Sequence, residues 1–174
     1  MSHVIRALSA HEASSHRAAL VELFIDSVEG GAQINFILPM TRQKADRWWD
    51  KGFQSHARGE RLILIAQDEI GRVDGTVQVA FAGPENQPHR ADVAKMLVHS
   101  RARRQGLGER LLKAAEDAAL AAGRDLLVLD TVARREGHRL YERCGWVMFG
   151  EVPGYSVEVN GVDRTPVTFF YKQL

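Results

Sequence analysis

The sequence predicts an α/β fold, a single domain over residues 1–174 with a mixed, mostly antiparallel sheet and helices on both faces. Three observations predict this architecture. Apolar runs separated by short turns indicate antiparallel strands. The strand–helix–strand passage from Val93 to Leu129 indicates one parallel crossover. No linker-like stretch divides the chain, so its elements belong to one layered unit.

Composition narrows the class of protein. A chain of 174 residues with 45% hydrophobic and 26% charged residues is typical of a globular domain with its own core. The net charge of +1 and the lack of a long apolar run argue against nucleic-acid and membrane partners. The single cysteine, Cys144, favours a reducing compartment. We therefore expect a cytoplasmic protein, and no metal site, since the histidines have no ligand-like spacing.

In the first half of the chain, strands and helices alternate with glycine-rich or polar breaks. Ser9 is a suitable N-cap for the first helix, and Gly30-Gly31 ends that helix. Trp48, Trp49 and Phe53 on the second helix are expected in the core or in a pocket wall. The predicted elements are a strand at 3–8, helices at 9–29 and 41–58, and strands at 62–67 and 75–82.

The second half contains the parallel crossover and a final hairpin. The strand at 93–98 is apolar except for Lys95, and the helix after it ends at Gly123, where a left-handed residue is favoured. Asn160-Gly161 predicts a tight turn between the last two strands. The remaining predicted elements are a strand at 126–129, a short helix around 140–143, and strands at 146–152 and 165–171.

A basic, glycine-containing turn at residues 101–108 joins the crossover strand to its helix, with the sequence RARRQGLG. The first N–H groups of a helix have no internal partner, and the helix dipole favours an anion there. Gly106 and Gly108 would let a pyrophosphate approach the backbone. The order R-x-x-G-x-G matches neither the Rossmann nor the P-loop fingerprint. An ordinary helix cap within a basic turn is the alternative.

This turn resembles the acetyl-CoA signature of the GNAT superfamily of N-acetyltransferases, with Arg103, Gly106 and Gly108 at its fixed positions. Residues 140–146, LYERCGW, resemble the second motif of that family. The chain is identified as a member, most similar to the tabtoxin-resistance acetyltransferase branch through residues 29–32, 86–92 and 150–155. The resemblance implies a splayed central strand and acetyl-CoA as co-substrate. It implies cofactor contacts by Met96, Leu97, Val98, Arg103, Arg104, Gln105, Gly106, Leu107, Gly108, Glu109 and Arg143.

Three residues are catalytic candidates. The resemblance implies that Tyr141 donates a proton to the departing sulfur; its alternative role is aromatic packing. Asp130 follows a buried parallel strand at the end where ligands gather in α/β sheets, and Asp92 precedes Met96 where some family members carry a base. Either carboxylate could accept the proton of the amine or bind the substrate cation. Helix capping by Asp130 and an ion pair between Asp92 and Arg90 are the alternatives.

The predicted function is acetyl transfer from acetyl-CoA to a primary amine of a small amino-acid-like or toxin-like molecule. Resemblance to the branch adds four substrate-binding candidates, Phe36, Gln78, Asn86 and Tyr155. Two alternatives are an acyl-CoA sensor without turnover and a protein N-terminal acetyltransferase. A homodimer is compatible with the sequence, which does not indicate its surface.

Overall fold

A computed structural model describes residues 2–174, and its centre is one seven-stranded sheet with strand order β1-β2-β3-β4-β5-β7-β6. Only the neighbours β4 and β5 run parallel. The predicted mixed, mostly antiparallel sheet is confirmed. Its strands are β1 His3–Ala7, β2 Arg61–Asp68, β3 Val73–Phe81, β4 Arg90–Val98, β5 Leu126–Val132, β6 Val147–Val157 and β7 Arg164–Gln173.

Helices cover both faces of the sheet, as predicted. They are α1 Ala10–Ala13, α2 Arg17–Glu29, α3 Arg42–Ala57, α4 Leu107–Ala121 and α5 Glu136–Arg143. Helices α1, α2 and α3 pack on one face, where Phe24 and Trp49 are fully buried. Helices α4 and α5 pack on the other, where the stripe of α4 that includes Leu111 and Leu112 is buried. Among residues 2–174, no helix combines the length and apolarity needed to cross a membrane.

The predicted first helix is interrupted, so its single span over residues 9–29 is wrong. A 3₁₀ turn, Ser14–His16, separates α1 from α2. The Ser15 hydroxyl donates to the carbonyl oxygen of Glu12 at 2.7 Å, and side-chain bonds of this kind compete with the helical ladder. Ser9 is the N-cap, as predicted: it forms a capping box in which its N–H donates to Glu12 Oε2 at 3.1 Å.

Several strands are longer than predicted because their partners extend them. Strand β4 begins at Arg90, and β5 continues to Val132 because β7 pairs with it along its whole length. Asp130 therefore lies within β5, paired with Phe169, and the prediction that it follows the strand is wrong. Strand β6 reaches Val157 through an irregularity after Val152, which accommodates Pro153 on this edge strand.

The central strands diverge, which confirms the splay that the family resemblance implies. Strands β4 and β5 pair only over Arg90–Asp92 and Leu126–Val128. On its other side, β4 places two residues, Lys95 and Met96, opposite one residue of β3. Such a bulge bends the strand and increases its twist. Within residues 2–174, no strand pairs with the edge of β4 that faces β5 from Val93 onward, and a cleft opens there.

Candidate active site

The cleft between the diverging strands has a volume of about 820 Å³. It brings together most of the residues for which cofactor contacts were expected. Those in its lining are Met96, Leu97, Val98, Arg103, Arg104, Gly106, Leu107, Gly108, Glu109 and Arg143. Gln105 lies outside this lining, with an exposed side chain whose Nε2 donates to the carbonyl oxygen of Arg101 at 3.4 Å. The end of α2 and the chain after it form the opposite wall.

The basic turn presents an uncapped helix start to the cleft. Gly106 is the N-cap of α4 with φ of 74°, a left-handed conformation that glycine adopts without strain. Among the described residues 2–174, no side chain caps the first turn of α4, so its N–H groups stay available for an anion. A Cβ on Gly108 would lie 3.3 Å from Leu140 Cδ2, which shows how closely α5 approaches the start of α4. These features fit a pyrophosphate group.

The arginines of the turn have different contacts. Arg103 donates from Nε to the carbonyl oxygen of Val98 at 3.1 Å, and its Nη2 lies 3.9 Å from Asp26 Oδ2. Its guanidinium therefore ties the turn to β4 and α2. Arg104 has an 86% exposed side chain, and its Nη1 lies 3.7 Å from Glu136 Oε1. Arg104 is thus the more accessible positive charge of the two.

Tyr141 projects from α5 toward the cleft and is only 7% exposed. Its ring centroid lies 5.9 Å from those of Trp146 and Phe170, so the aromatic packing considered as an alternative is present. Burial raises the pKa of the Tyr141 phenol, and the charge of Asp130 acts in the same direction. The phenol is therefore protonated at neutral pH, as a proton donor must be.

The two candidate carboxylates lie in different surroundings. Asp130 is exposed and lines both the large cleft and a second pocket of about 270 Å³. Thr131 and Val132 also line both cavities, so the cavities adjoin along this part of β5. Asp92 lines neither, and its Oδ1 accepts a hydrogen bond from Arg90 Nη1 at 2.7 Å. The ion pair that the sequence offered as an alternative for Asp92 is thus formed.

The smaller pocket holds two of the four predicted substrate-binding residues. Phe36 and Tyr155 line it. Gln78 does not, because it is fully buried in β3 with its Oε1 accepting from Arg61 Nη1 at 2.8 Å. Asn86 is exposed on the loop after β3 and lines neither cavity.

The loop between α2 and α3 closes one side of this pocket because it is bonded to the β6–β7 hairpin. The Leu38 N–H donates to the carbonyl oxygen of Val159 at 2.8 Å. The Ser156 hydroxyl donates to Gln33 Oε1 at 3.2 Å, and Gln33 Nε2 donates to Glu158. Three contacts with one hairpin fix the loop over the pocket.

Lys95 lines the cleft and was not among the predicted site residues. It has φ of 50° at the bulge of β4, and its Nζ lies 5.5 Å from the ring centroid of Trp48. Burial lowers the pKa of Lys95; the charge of Asp130 opposes this shift and that of Arg61 adds to it. The signal in the sequence was a lysine interrupting an otherwise apolar strand.

Other chemistries have little support among the described residues. Within residues 2–174, no group of three or more His, Cys, Asp or Glu side chains is arranged to hold a metal ion. Cys144 is a free, partly buried thiol. Burial raises the pKa of this thiol, which makes it a poor nucleophile.

Known proteins resemble the chain in sequence and in fold. Residues 59–148, just over half of the chain, match the Acetyltransferase (GNAT) domain. The uncharacterized N-acetyltransferase of the hisH-hisA intergenic region of Azospirillum brasilense is 31% identical over 121 residues, 68% of each protein. The chain therefore belongs to the GNAT acetyltransferase family, and it is an N-acetyltransferase.

Solved structures match nearly the whole chain in fold. The structure of yncA from Salmonella typhimurium, which contains acetyl-CoA as its cofactor, has a TM-score of 0.78 with 19% identity, covering 100% of this chain and 95% of that one. An N-acetyltransferase from Staphylococcus aureus Mu50 has a TM-score of 0.79 with 17% identity, covering 99% of both chains. A ribosomal-protein-alanine N-acetyltransferase from Brucella melitensis has a TM-score of 0.76 with 20% identity, covering 98% and 99%. At these identities the likeness concerns the fold.

Proposed function

We propose that this protein transfers an acetyl group from acetyl-CoA directly to the primary amine of a small, amino-acid-like or toxin-like molecule. The observation that carries the proposal is that two adjoining cavities share Asp130. One cavity has the uncapped, glycine-containing helix start expected for a cofactor. The other is small and bordered by Phe36 and Tyr155. A carboxylate at their junction is positioned to serve an acceptor amine.

Acetyl-CoA supplies an acyl group activated as a thioester. The N–H groups at the start of α4, with Gly106 and Gly108, would hold its pyrophosphate. The unpaired edge of β4 at Met96, Leu97 and Val98 offers backbone groups to the pantetheine arm. An N–H of this edge, from Met96, would polarise the carbonyl of the thioester.

Two side chains would move the protons. Asp130 accepts the proton of the acceptor ammonium, directly or through a water molecule, which frees the lone pair of the amine. The amine nitrogen then attacks the thioester carbonyl carbon, and as the C–N bond forms and the C–S bond breaks, Tyr141 donates its phenolic proton to the departing sulfur; its raised pKa keeps that proton available at neutral pH. The second proton of the amine returns to the Tyr141 oxygen, directly or through water. Positioning of the two substrates in adjoining cavities would supply much of the rate. Asp92, bonded to Arg90, is proposed only as a more distant contributor to substrate binding or proton transfer.

The small pocket supports a small acceptor over a protein N-terminus, which would need an open groove. The contacts of Gln33 and Leu38 with the hairpin close the loop over this pocket. The presence of both Tyr141 and Asp130 at the cleft favours turnover over acyl-CoA sensing. Of the segments on which the tabtoxin-resistance resemblance depends, Gly30, Gly31 and Ala32 line the large cleft and Tyr155 lines the small pocket, whereas residues 86–92 line neither; on the first two segments we propose that the chain belongs to this branch.

The test is an assay of thiol release from acetyl-CoA across amino acids, β-lactam amino acids, polyamines, aminoglycosides and short peptides. We expect release that depends on one class of small amine and is lost in Asp130→Asn. Release only with peptides would favour the protein N-terminal acetyltransferase. A thermal shift with acetyl-CoA but no release with any amine would favour the sensor.

A further inference from the structure

Lys95 is a partly buried cation that lines the cleft. Among the described residues, no carboxylate lies within ion-pair distance of its ammonium group. The Nζ of Lys95 lies 5.5 Å from the centroid of the Trp48 ring. No residue among 2–174 forms an ion pair with Lys95, so the charge of Asp130 acts on Lys95 only at longer range. We infer that Lys95 selects the acceptor, by binding the carboxylate of an amino-acid-type substrate whose amine faces Asp130. This inference rests on the proposed function and names the substrate class of its site.

The bulge of β4 determines where Lys95 lies. Residues 95 and 96 together face one residue of β3, and Lys95 adopts φ of 50°, which is uncommon for a residue with a side chain. Bulges near active sites redirect side chains, and a conformation of this kind persists where the surrounding structure enforces it. The ring of Trp48 then supports the ammonium group through a cation–π contact. Lys95 is thereby held in the cleft rather than in solvent.

A second positive charge lies near Lys95. Gln78, paired in register with Ala94, is fully buried and lines neither cavity. Its Oε1 is occupied by Arg61, whose charge also acts on Lys95. Lys95 is partly buried, and this burial lowers the pKa of its ammonium group. An anionic group bound here would gain a charge-assisted hydrogen bond and lower the repulsion between Lys95 and Arg61.

Asp130 and Lys95 line the large cleft with opposite charges, and only Asp130 also borders the small pocket, so an acceptor whose amine lies at this border can extend its carboxylate into the large cleft toward Lys95. A zwitterion can place its ammonium toward Asp130 and its carboxylate toward Lys95, so that each charge meets its counter-charge. A polyamine or an aminoglycoside would instead bring further positive charge toward Lys95 and Arg61, which is unfavourable. The arrangement therefore favours amino acids and their analogues over amines that lack an acid group.

The test compares matched acceptors in the dead-end complex of the enzyme with CoA, so that binding is measured without turnover. The probes are the free amino acids, paired with their decarboxylated amines, such as phenylalanine with phenethylamine. Affinity is measured by calorimetry, and tryptophan fluorescence reports on the environment of Trp48. We expect at least one amino acid to bind about 10-fold or more tightly than its amine. A single charge-assisted contact supports an effect of that order.

Variants then assign the preference to Lys95. Lys95→Met should remove the preference, because it should weaken binding of the amino acid and leave binding of the amine unchanged. Lys95→Arg should keep part of the preference. Lys113→Met, on the exposed surface of α4, is the matched control. All variants should bind acetyl-CoA like the wild type.

Three outcomes would overturn the inference: equal binding of amino acid and amine by the wild type, no binding of any amino acid, or an unchanged preference in Lys95→Met. The comparison of amino acid with amine in the wild-type protein tests the inference even if Lys95→Met does not fold. If one of these outcomes occurs while small amines are still acetylated, the role of Lys95 is overturned and the proposed function stands. Absence of turnover with every amine would count against the proposed function itself.

Discussion

Arg103 Nε donates a hydrogen bond of 3.1 Å to the carbonyl oxygen of Val98, the last residue of β4. The same guanidinium approaches Asp26 on α2. A residue expected to contact the cofactor thus also connects three parts of the cleft: the splayed strand, the basic turn and the helix opposite them. The position of the turn depends on this contact as much as on its glycines.

Replacing Arg103 by methionine should therefore loosen the turn. We expect about 10-fold weaker acetyl-CoA binding, together with a loss of about 1 kcal/mol in the free energy of unfolding, the usual size for one hydrogen bond. Calorimetry and thermal unfolding measure the two effects. Arg104→Met removes the same charge from an exposed side chain and should leave stability unchanged. Equal effects of the two variants on stability and binding would show that only charge matters in this turn.

Tyr141→Phe tests the proton donor. We expect kcat to fall by about 10²–10⁴-fold, the usual contribution of general acid catalysis, with little change in acetyl-CoA binding. Tyr141 lines the cleft, and its ring would keep its packing with Trp146 and Phe170 in the variant. Unchanged turnover would reduce Tyr141 to a packing residue.

The wild-type pH profile provides a second test of Tyr141. Its folded-state pKa is raised above the ordinary value of about 10, so the protonated donor persists up to and beyond that pH. Loss of this proton should therefore cause no fall in kcat between pH 7 and pH ~9.5. An alkaline fall inside that window that disappears in Tyr141→Phe would contradict the pKa direction.

The two aspartates should behave differently. Asp130→Asn removes the carboxylate shared by the two cavities, and we expect kcat/KM to fall by about 10²-fold or more with an altered acid limb of the pH profile. Asp92→Asn breaks a partly exposed ion pair with Arg90 and should change kcat/KM by less than about 3-fold. A larger loss in Asp92→Asn than in Asp130→Asn would reverse the assignment of the base.

Local sequence patterns predicted the elements that make up the fold. The left-handed glycine after α4, the Ser9 cap and the two motifs around Gly106 and Tyr141 are short-range signals, and each is reflected in the structure. The break after Ala13 was missed because competition between side-chain and helical hydrogen bonds leaves the apolar spacing unchanged.

The site was harder to predict because the pairing of strands brings together residues that are far apart in the sequence. Asp130 lies within β5 because β7 extends that strand, which the sequence of β5 alone does not reveal. Gln78 is buried and Asn86 is remote from both cavities, although resemblance suggested both. Lys95 enters the cleft only because a bulge redirects it, and the bulge depends on the pairing of β4 with β3.

One largely buried network joins β7 to α4. Lys172 Nζ donates to Glu116 Oε2 at 2.8 Å and to the carbonyl oxygen of Cys144 at 2.9 Å. Trp146 Nε1 donates to Glu116 Oε1 at 2.9 Å. The Glu116 side chain is 5% exposed and that of Lys172 is 23% exposed, so water replaces a lost partner poorly.

Lys172→Met should consequently leave a buried carboxylate without its counter-ion. Removing one partner of a buried pair costs about 3–5 kcal/mol; partial exposure of Lys172 reduces our expectation to about 2–3 kcal/mol. For a domain of this size that corresponds to a fall in Tm of roughly 4–12 °C. Lys113→Met, which breaks an exposed pair with Asp117 on the same helix, should change Tm by less than about 2 °C. Similar shifts in the two variants, measured by calorimetry, would mean that burial of Glu116 does not control the strength of this contact.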